Sequence, residues 1–177
     1  MTLEESARLY LADYYLLEEA RDSANRFLQD IGQSLAASVR EQLGQRVDSP
    51  VKWGGWVQKE GGALEFWVDE QDIPQLQRLE PYKYSVAYRD TMRTGRLSDT
   101  TKCRIYGSSP KSSAAAAAEL KRMAKALGLP DPYADNEFDL LDGSVDEVVE
   151  RLTEAFMALI DGYVQIAQAL AKEPRGA

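Results

Sequence analysis

The side chains that could do chemistry in this sequence are carboxylates, lysines and tyrosines, because histidine is absent and Cys103 is the single cysteine. Without histidine, serine-hydrolase triads and papain-like Cys/His pairs lose their usual base, and zinc loses its commonest protein ligand. A carboxylate-bound Mg²⁺ or Ca²⁺, or acid–base work by Asp, Glu, Lys or Tyr, remains open. We therefore expect no cofactor and no zinc site.

Two groups of carboxylates could hold a divalent cation. The first lies at a predicted strand end and comprises Glu65, Asp69, Glu70 and Asp72. With Lys83 it could serve a Mg²⁺-dependent phosphodiesterase, although carboxylates near strand ends are common. The second lies within residues 131–142, where no window has the spacing of an EF-hand loop. We interpret this second group as an acidic connector.

The segment 107–113 contains glycine, serines and Lys111, and it opens a predicted helix, which is a place where anions can bind. Its spacing matches neither a P-loop nor a dinucleotide-binding fingerprint. Capping of the helix by Ser112 or Ser113 explains the same residues.

Positive charge is concentrated in the middle of the chain. Residues 81–128 hold 10 basic and 3 acidic side chains, although the whole chain has a net charge of −8. Strand alternation and one connecting loop gather six of these cations into what we call the basic face: Lys83, Arg89, Arg93, Arg96, Lys102 and Arg104. Such a face could bind phosphates or an acidic partner. The alternative is that the protein's own acidic residues, including Glu65 and Asp69, neutralise it.

Aromatic residues on the predicted strands allow two interpretations. The set is Trp53, Trp56, Trp67, Tyr82, Tyr84 and Tyr88. It could form a stacking platform for bases, or it could be core that packs against helices. Tyr10, Tyr14 and Tyr163 lie on helix stripes and are expected in the core or in a helix interface. Cys103 follows the apolar alternation and is expected to be an inert buried thiol.

The first 44 residues are predicted to form one long amphipathic helix. Its apolar stripe recurs at alternating intervals of three and four residues: Leu3, Ala7, Tyr10, Tyr14, Leu17, Ala24, Leu28, Ile31 and Leu35. Arg21 interrupts the stripe. Thr2 and Glu5 have the spacing of a capping box, and Gly32 indicates either a kink or a close contact. About 60 Å of unbroken helix would exceed the width of a compact domain of this mass.

A period of two residues follows, which predicts an antiparallel sheet of about four strands over 50–107. The strands are expected at 51–58, 63–69, 82–89 and 101–106, with a glycine-containing hairpin turn at 59–62. We expect one face of the sheet to pack on a core and the other to be basic.

Two more helices are predicted, over 112–128 and 144–171, separated by the acidic connector 129–143. Ser144 and Glu147 form a second capping-box pattern. The last helix carries a long apolar stripe and is the expected partner of the first. The prediction is a single α+β domain over 1–177, with the two long helices packed together.

The function that we expect is a non-enzymatic interaction or regulatory protein. It would bind a protein partner or its own copy through the long helices and the basic face. Nucleic-acid binding by the strands within 82–106 is the alternative, and the Mg²⁺-dependent phosphodiesterase is the second alternative. The amino-terminal residues lack a secretory pattern and no apolar run approaches membrane-spanning length, so a cytoplasmic location and no membrane partner are expected.

Overall fold

The computed structural model describes residues 2–57, 63–71, 73–79, 83–90, 102–109 and 112–172. The elements within these ranges, in chain order, are α1 (Leu3–Ala12), α2 (Tyr14–Gly44), β1 (Val51–Val57), β2 (Ala63–Gln71), α3 (Pro74–Leu79), β3 (Ser85–Asp90), β4 (Lys102–Ser108), α4 (Ala114–Ala126), β5 (Asp135–Asp139) and α5 (Val145–Lys172). The chain is α+β, as the sequence predicts.

The five strands form one antiparallel sheet in the order β1-β2-β3-β4-β5. The sequence predicts about four strands and misses β5, which lies inside the acidic connector. Asp, Asn and Glu have low strand propensity, so composition alone indicates a loop there. Two features nevertheless favour a strand here. Without β5 the main chain of β4 would be an unpaired edge of the sheet, and Phe138 of β5 packs on the core opposite Cys103.

The strand β3 begins three residues later than predicted, at Ser85 instead of residue 82. Lys83 has a φ of 61°, which is the left-handed region and cannot continue an extended strand. The predicted hairpin turn at 59–62, Tyr82, and the loop that carries Arg93 and Arg96 lie outside the described residues.

The first helix is interrupted at Asp13, where the backbone has a φ of −105° and a ψ of 14°. Hydrogen bonds still pass this point, because the Asp13 amide donates to the Leu9 carbonyl and the Leu17 amide donates to the Asp13 carbonyl, each at 3.0 Å. The helix continues through Gly32, which is buried, in agreement with the close contact that the sequence offers as one of two alternatives there. The interruption at Asp13 is not predicted by the sequence.

The predicted helix starts are confirmed. Thr2 and Glu5 form both hydrogen bonds of a capping box, and Ser144 and Glu147 do the same at the start of α5. Ser113 caps α4 by accepting from the amide of Ala116.

The core lies between one face of the sheet, which we call the inner face, and the helices α2 and α5. Fully buried inner-face residues are Leu64, Tyr84, Val86, Tyr88, Cys103 and Ile105. On the helices, Leu35 and Phe156 are likewise fully buried. The opposite, outer face of the sheet therefore carries the basic-face residues that lie within described strands, Arg89, Lys102 and Arg104.

Candidate functional site

Four of the six basic-face residues lie in described parts of the sheet or beside it. The register places Arg89 of β3 directly opposite Arg104 of β4. Lys102 lies two residues before Arg104 and so projects from the same face. Lys83 lies just before β3. Arg93 and Arg96 lie outside the described residues.

Acidic side chains lie beside three of these cations. The Lys102 ammonium is 2.5 Å from the Glu137 carboxylate, and the Arg104 guanidinium is 3.5 Å from that of Asp135. Both acids belong to β5, the strand that the sequence misses. Lys83 lies 3.7 Å from Asp69 of β2. The outer face of the sheet is therefore mixed in charge.

These ion pairs change the electrostatics of the face more than its stability. All the partners are about half exposed, where screening by solvent leaves such pairs with little effect on stability. The hydrogen bond from Lys102 holds the pKa of Glu137 below its usual value, so that carboxylate is charged at neutral pH. A phosphate approaching Lys102 or Arg104 would meet the charges of Glu137 and Asp135. This arrangement weakens the case for nucleic-acid binding.

Arg89 is arranged differently from the other three cations. Its guanidinium lies over the ring of Tyr106, 6.0 Å from the ring centroid. Burial raises the pKa of Tyr106, while the nearby Arg89 acts in the opposite direction. Within the described ranges Arg89 makes no ion pair with a carboxylate.

The aromatic residues divide between the two faces of the sheet. Tyr84 stacks on Tyr163 of α5 at a centroid distance of 4.4 Å, and Trp53 meets both rings edge to face, so these three belong to the core. Trp56 lies opposite Glu65 and is 41% exposed on the outer face. Trp67, opposite Gly54, and Tyr106, opposite Ala87, lie on the same outer face. Among the described residues no ring contact joins these two side chains to each other or to Trp56, so the three do not form a stacked cluster.

The carboxylates that could bind Mg²⁺ gain no support from the geometry. Asp69 faces Lys83, and in the part of the chain that the structure describes no three His, Cys, Asp or Glu side chains are grouped to hold a metal ion. Cys103 is fully buried, and burial, reinforced by the Asp90 carboxylate, raises the pKa of its thiol to about 12. This thiol is protonated at neutral pH and is a poor nucleophile.

A second candidate site lies at the other end of the chain, and we call it the N-terminal apolar segment, residues 9–17. Every side chain from Glu4 to Leu17 is exposed, and the first fully buried residue of α2 is Leu28. The large apolar side chains of the segment are Leu9, Tyr10, Leu11, Tyr14, Tyr15, Leu16 and Leu17. Their exposed fractions run from 40% to 85%. Exposed apolar area of this kind is typical of sites that contact another molecule, which makes the segment a candidate.

The segment continues the stripe that packs on the core. Leu28, Ile31 and Leu35 of that stripe are covered within the chain, where α2 packs on α5. Tyr10 and Tyr14, which the sequence assigns to the core or to a helix interface, are instead exposed and contact each other edge to face at 5.6 Å. The second half of the apolar stripe is therefore covered by the rest of the chain, and the first half is exposed to solvent.

Sequence reasoning missed the members of the segment that lie off the stripe. Leu9, Leu11, Tyr15 and Leu16 are more than half exposed. The available signal is the run LYLADYYLL, which is apolar on all sides of a helix and so needs more cover than a single packed face provides.

No helix in the described ranges is both long enough and apolar enough to span a bilayer. Comparisons of this chain with protein-family models, with curated proteins and with solved structures found no significant match.

Proposed function

We propose that this protein is a non-enzymatic, cytoplasmic interaction protein that associates with a second copy of itself through the N-terminal apolar segment. The observation that carries the proposal is the exposed first half of the helix stripe, together with the off-stripe side chains of Tyr15, Leu11 and Leu16, which are exposed by 85%, 72% and 66%. Leaving such side chains in water costs about 1 kcal/mol or more for each. A second helical segment of the same kind would cover them.

A second copy is favoured by one charge match between the two ends of the exposed helix. In the single chain Arg21, which interrupts the stripe, contacts Glu18 and Asp22. An antiparallel pair with Tyr10 of one copy beside Tyr14 of the second copy places Arg21 next to the second copy's first turn. That turn carries exposed Glu4 and Glu5. Opposite charges across a helix pair set its partner and its orientation.

The exposed leucines that lie off the stripe support an assembly that buries more apolar area than one pair of helices does. Leu11 and Leu16 lie on different sides of the helix from Tyr10 and Tyr14, so a pair of segments leaves part of their area in water. Two pairs packed together would bury it. Even-numbered assemblies, dimers and tetramers, are therefore expected.

The test is light scattering coupled to size-exclusion chromatography, with matched leucine variants. Leu11→Ser with Leu16→Ser, which we call the segment variant, removes two exposed leucines and should raise the dissociation constant about 100-fold. The control is Leu127→Ser with Leu141→Ser, two leucines that are exposed elsewhere. A wild-type monomer at about 100 µM, where micromolar complexes are largely formed, contradicts the proposal. Equal masses for both double variants and wild type would show that another surface is responsible.

A further inference from the structure

A cavity of about 370 Å³ lies between the carboxyl-terminal end of α2, the strand β1 and the helix α5. Small-molecule pockets in proteins begin at about 300 Å³, so the cavity is large enough for a small organic ligand. It is separate from the basic face, which lies on the outer side of the sheet, and from the N-terminal apolar segment.

The apolar part of the cavity wall comes from residues of the core and its edge: Leu43, Val51, Phe66, Ile160 and Val164. Glycines keep the space open. A Cβ at Gly55 would come within 2.6 Å of the Phe66 ring, so β1 can carry no side chain there. At Gly44, at the end of α2, a Cβ would meet no atom within 4 Å.

Three cations also line the cavity. Arg46 is paired with Asp161, and the Lys52 ammonium is 3.0 Å from Glu70. Arg40 lies with its guanidinium 6.0 Å from the Phe66 ring centroid, and no carboxylate of the described residues pairs with it. The lining therefore carries one positive charge that the described residues do not neutralise.

A hydrogen-bond donor is also left over. The indole Nε1 of Trp53 is buried and has no acceptor in the described structure. Its ring is fixed edge to face by Tyr84 and Tyr163, at centroid distances of 6.2 and 5.9 Å. Buried N–H groups nearly always have a partner, and Trp53 lines the cavity. This N–H is covered by protein atoms on all sides and is not open to the cavity, so the polar group that the lining offers to a ligand is the cation of Arg40.

We propose that this cavity binds a small amphipathic anion, with an apolar body against Phe66 and Ile160 and an acidic head group held by Arg40. Arg40 supplies the preference for a charged head, and the apolar wall accepts an aromatic or short aliphatic body.

The experiment uses a matched pair of fluorescent probes, anilinonaphthalene sulfonate and phenylnaphthylamine, which differ only in the sulfonate. The segment variant is the background, because the exposed leucines would bind either probe. We expect one saturable site that binds the anionic probe at least 10-fold more tightly than the neutral one, consistent with one charge-assisted hydrogen bond.

Two substitutions locate the site. Arg40→Met keeps the side-chain length and should lower the affinity for the anionic probe about 10-fold while leaving the neutral probe unaffected. Gly44→Leu adds volume beside the cavity, at a position where a Cβ meets no atom within 4 Å, and should block both probes. Arg8→Met, in the exposed α1, is the charge-matched control.

The proposal is overturned if the neutral probe binds as tightly as the anion, or if Arg40→Met binds like wild type. Retained binding in Gly44→Leu would place the probe elsewhere and would also overturn it. Circular dichroism of each variant separates loss of binding from loss of fold. Self-association is weakened in the background variant, and Arg40 and Gly44 lie outside the N-terminal apolar segment, so these outcomes do not depend on whether the chain associates with itself.

Discussion

Tyr84 and Tyr163 stack with their rings nearly parallel, at an interplanar angle of 3° and a centroid distance of 4.4 Å. The pair joins the middle of the sheet to the last helix. The Tyr84 hydroxyl also donates a hydrogen bond of 2.5 Å to the carbonyl of Pro132, in the segment that leads to β5. One side chain thus connects three parts of the fold, and the side chains that contact the Tyr84 ring belong to the core or pack against it.

Removing the Tyr84 hydroxyl should therefore destabilise the protein more than removing that of Tyr163. Tyr84→Phe leaves a buried carbonyl without its donor and should cost about 1–3 kcal/mol in the free energy of unfolding. Tyr163→Phe removes a longer, partly buried bond of 3.2 Å to Gln71 and should cost about 1 kcal/mol or less. Urea denaturation checks both. Equal losses would mean that the Pro132 contact adds nothing.

Reversing the charge at Arg21 tests the antiparallel arrangement. Arg21→Glu would face Glu4 and Glu5 of the second copy and should weaken self-association about 10-fold. Combining it with Glu5→Arg should restore the affinity, because the attraction is then re-formed with opposite sign. Analytical ultracentrifugation gives the constants. If the double variant is as weak as the single one, the two segments pair in some other register.

The first turn of α5 should contribute to the pH dependence of stability. Hydrogen bonds from the amide and hydroxyl of Ser144 hold the pKa of Glu147 below its usual value of 4.5. A carboxylate whose pKa is lowered in the folded state stabilises the protein above its unfolded pKa, and the contribution is lost as the pH falls through the folded pKa. Stability should therefore decrease as the pH is lowered from the unfolded value of 4.5 through the folded pKa.

Glu147→Gln should flatten that decrease, because the amide can still accept from Ser144 but does not titrate. Ser144→Ala should flatten it only in part, because the backbone amide of residue 144 still donates to Glu147 and only the hydroxyl donor is lost. Thermal unfolding followed by circular dichroism over this pH range is the measurement. An acid-induced decrease identical to wild type in both variants would exclude the cap as its source.

The outer face of the sheet should bind nucleic acid only when its acidic partners are removed. The charges of Asp135 and Glu137 lie beside Arg104 and Lys102, so the wild-type protein should show little binding at low salt. Asp135→Asn with Glu137→Gln should increase binding, and the increase should disappear as salt is raised. Electrophoretic titration at two salt concentrations checks this. If the wild-type protein binds nucleic acid with a micromolar dissociation constant, and this binding weakens as salt is raised, nucleic-acid binding again becomes a candidate function.

The sequence predicts the elements whose pattern is local. Alternation at Tyr84, Val86 and Tyr88 places all three in the core, where the structure buries them completely. The two capping boxes depend on residues three positions apart, so Thr2 and Ser144 mark helix starts without knowledge of the fold. The class of fold follows from these elements.

What the sequence does not predict depends on residues far apart in the chain. Glu137 meets Lys102 across 35 positions only because β5 pairs with β4, and its composition hides that strand. The exposure of Tyr10 and Tyr14 could not be predicted for a related reason. Periodicity identifies which side of a helix is apolar, but it does not identify what covers that side. The cavity near Arg40 also requires three separate elements to meet, and no local pattern encodes its volume.

The exposed first part of the helix has a geometric consequence for any assembly built on it. Residues 2–26 would extend about 37 Å at 1.5 Å per residue, and none of their described side chains is buried. Two copies joined antiparallel along that length would hold their sheets at opposite ends of a rod, with both outer faces unobstructed. Such a dumbbell is bivalent, so even a weak contact at each end would gain from avidity when it meets a repeated or clustered target.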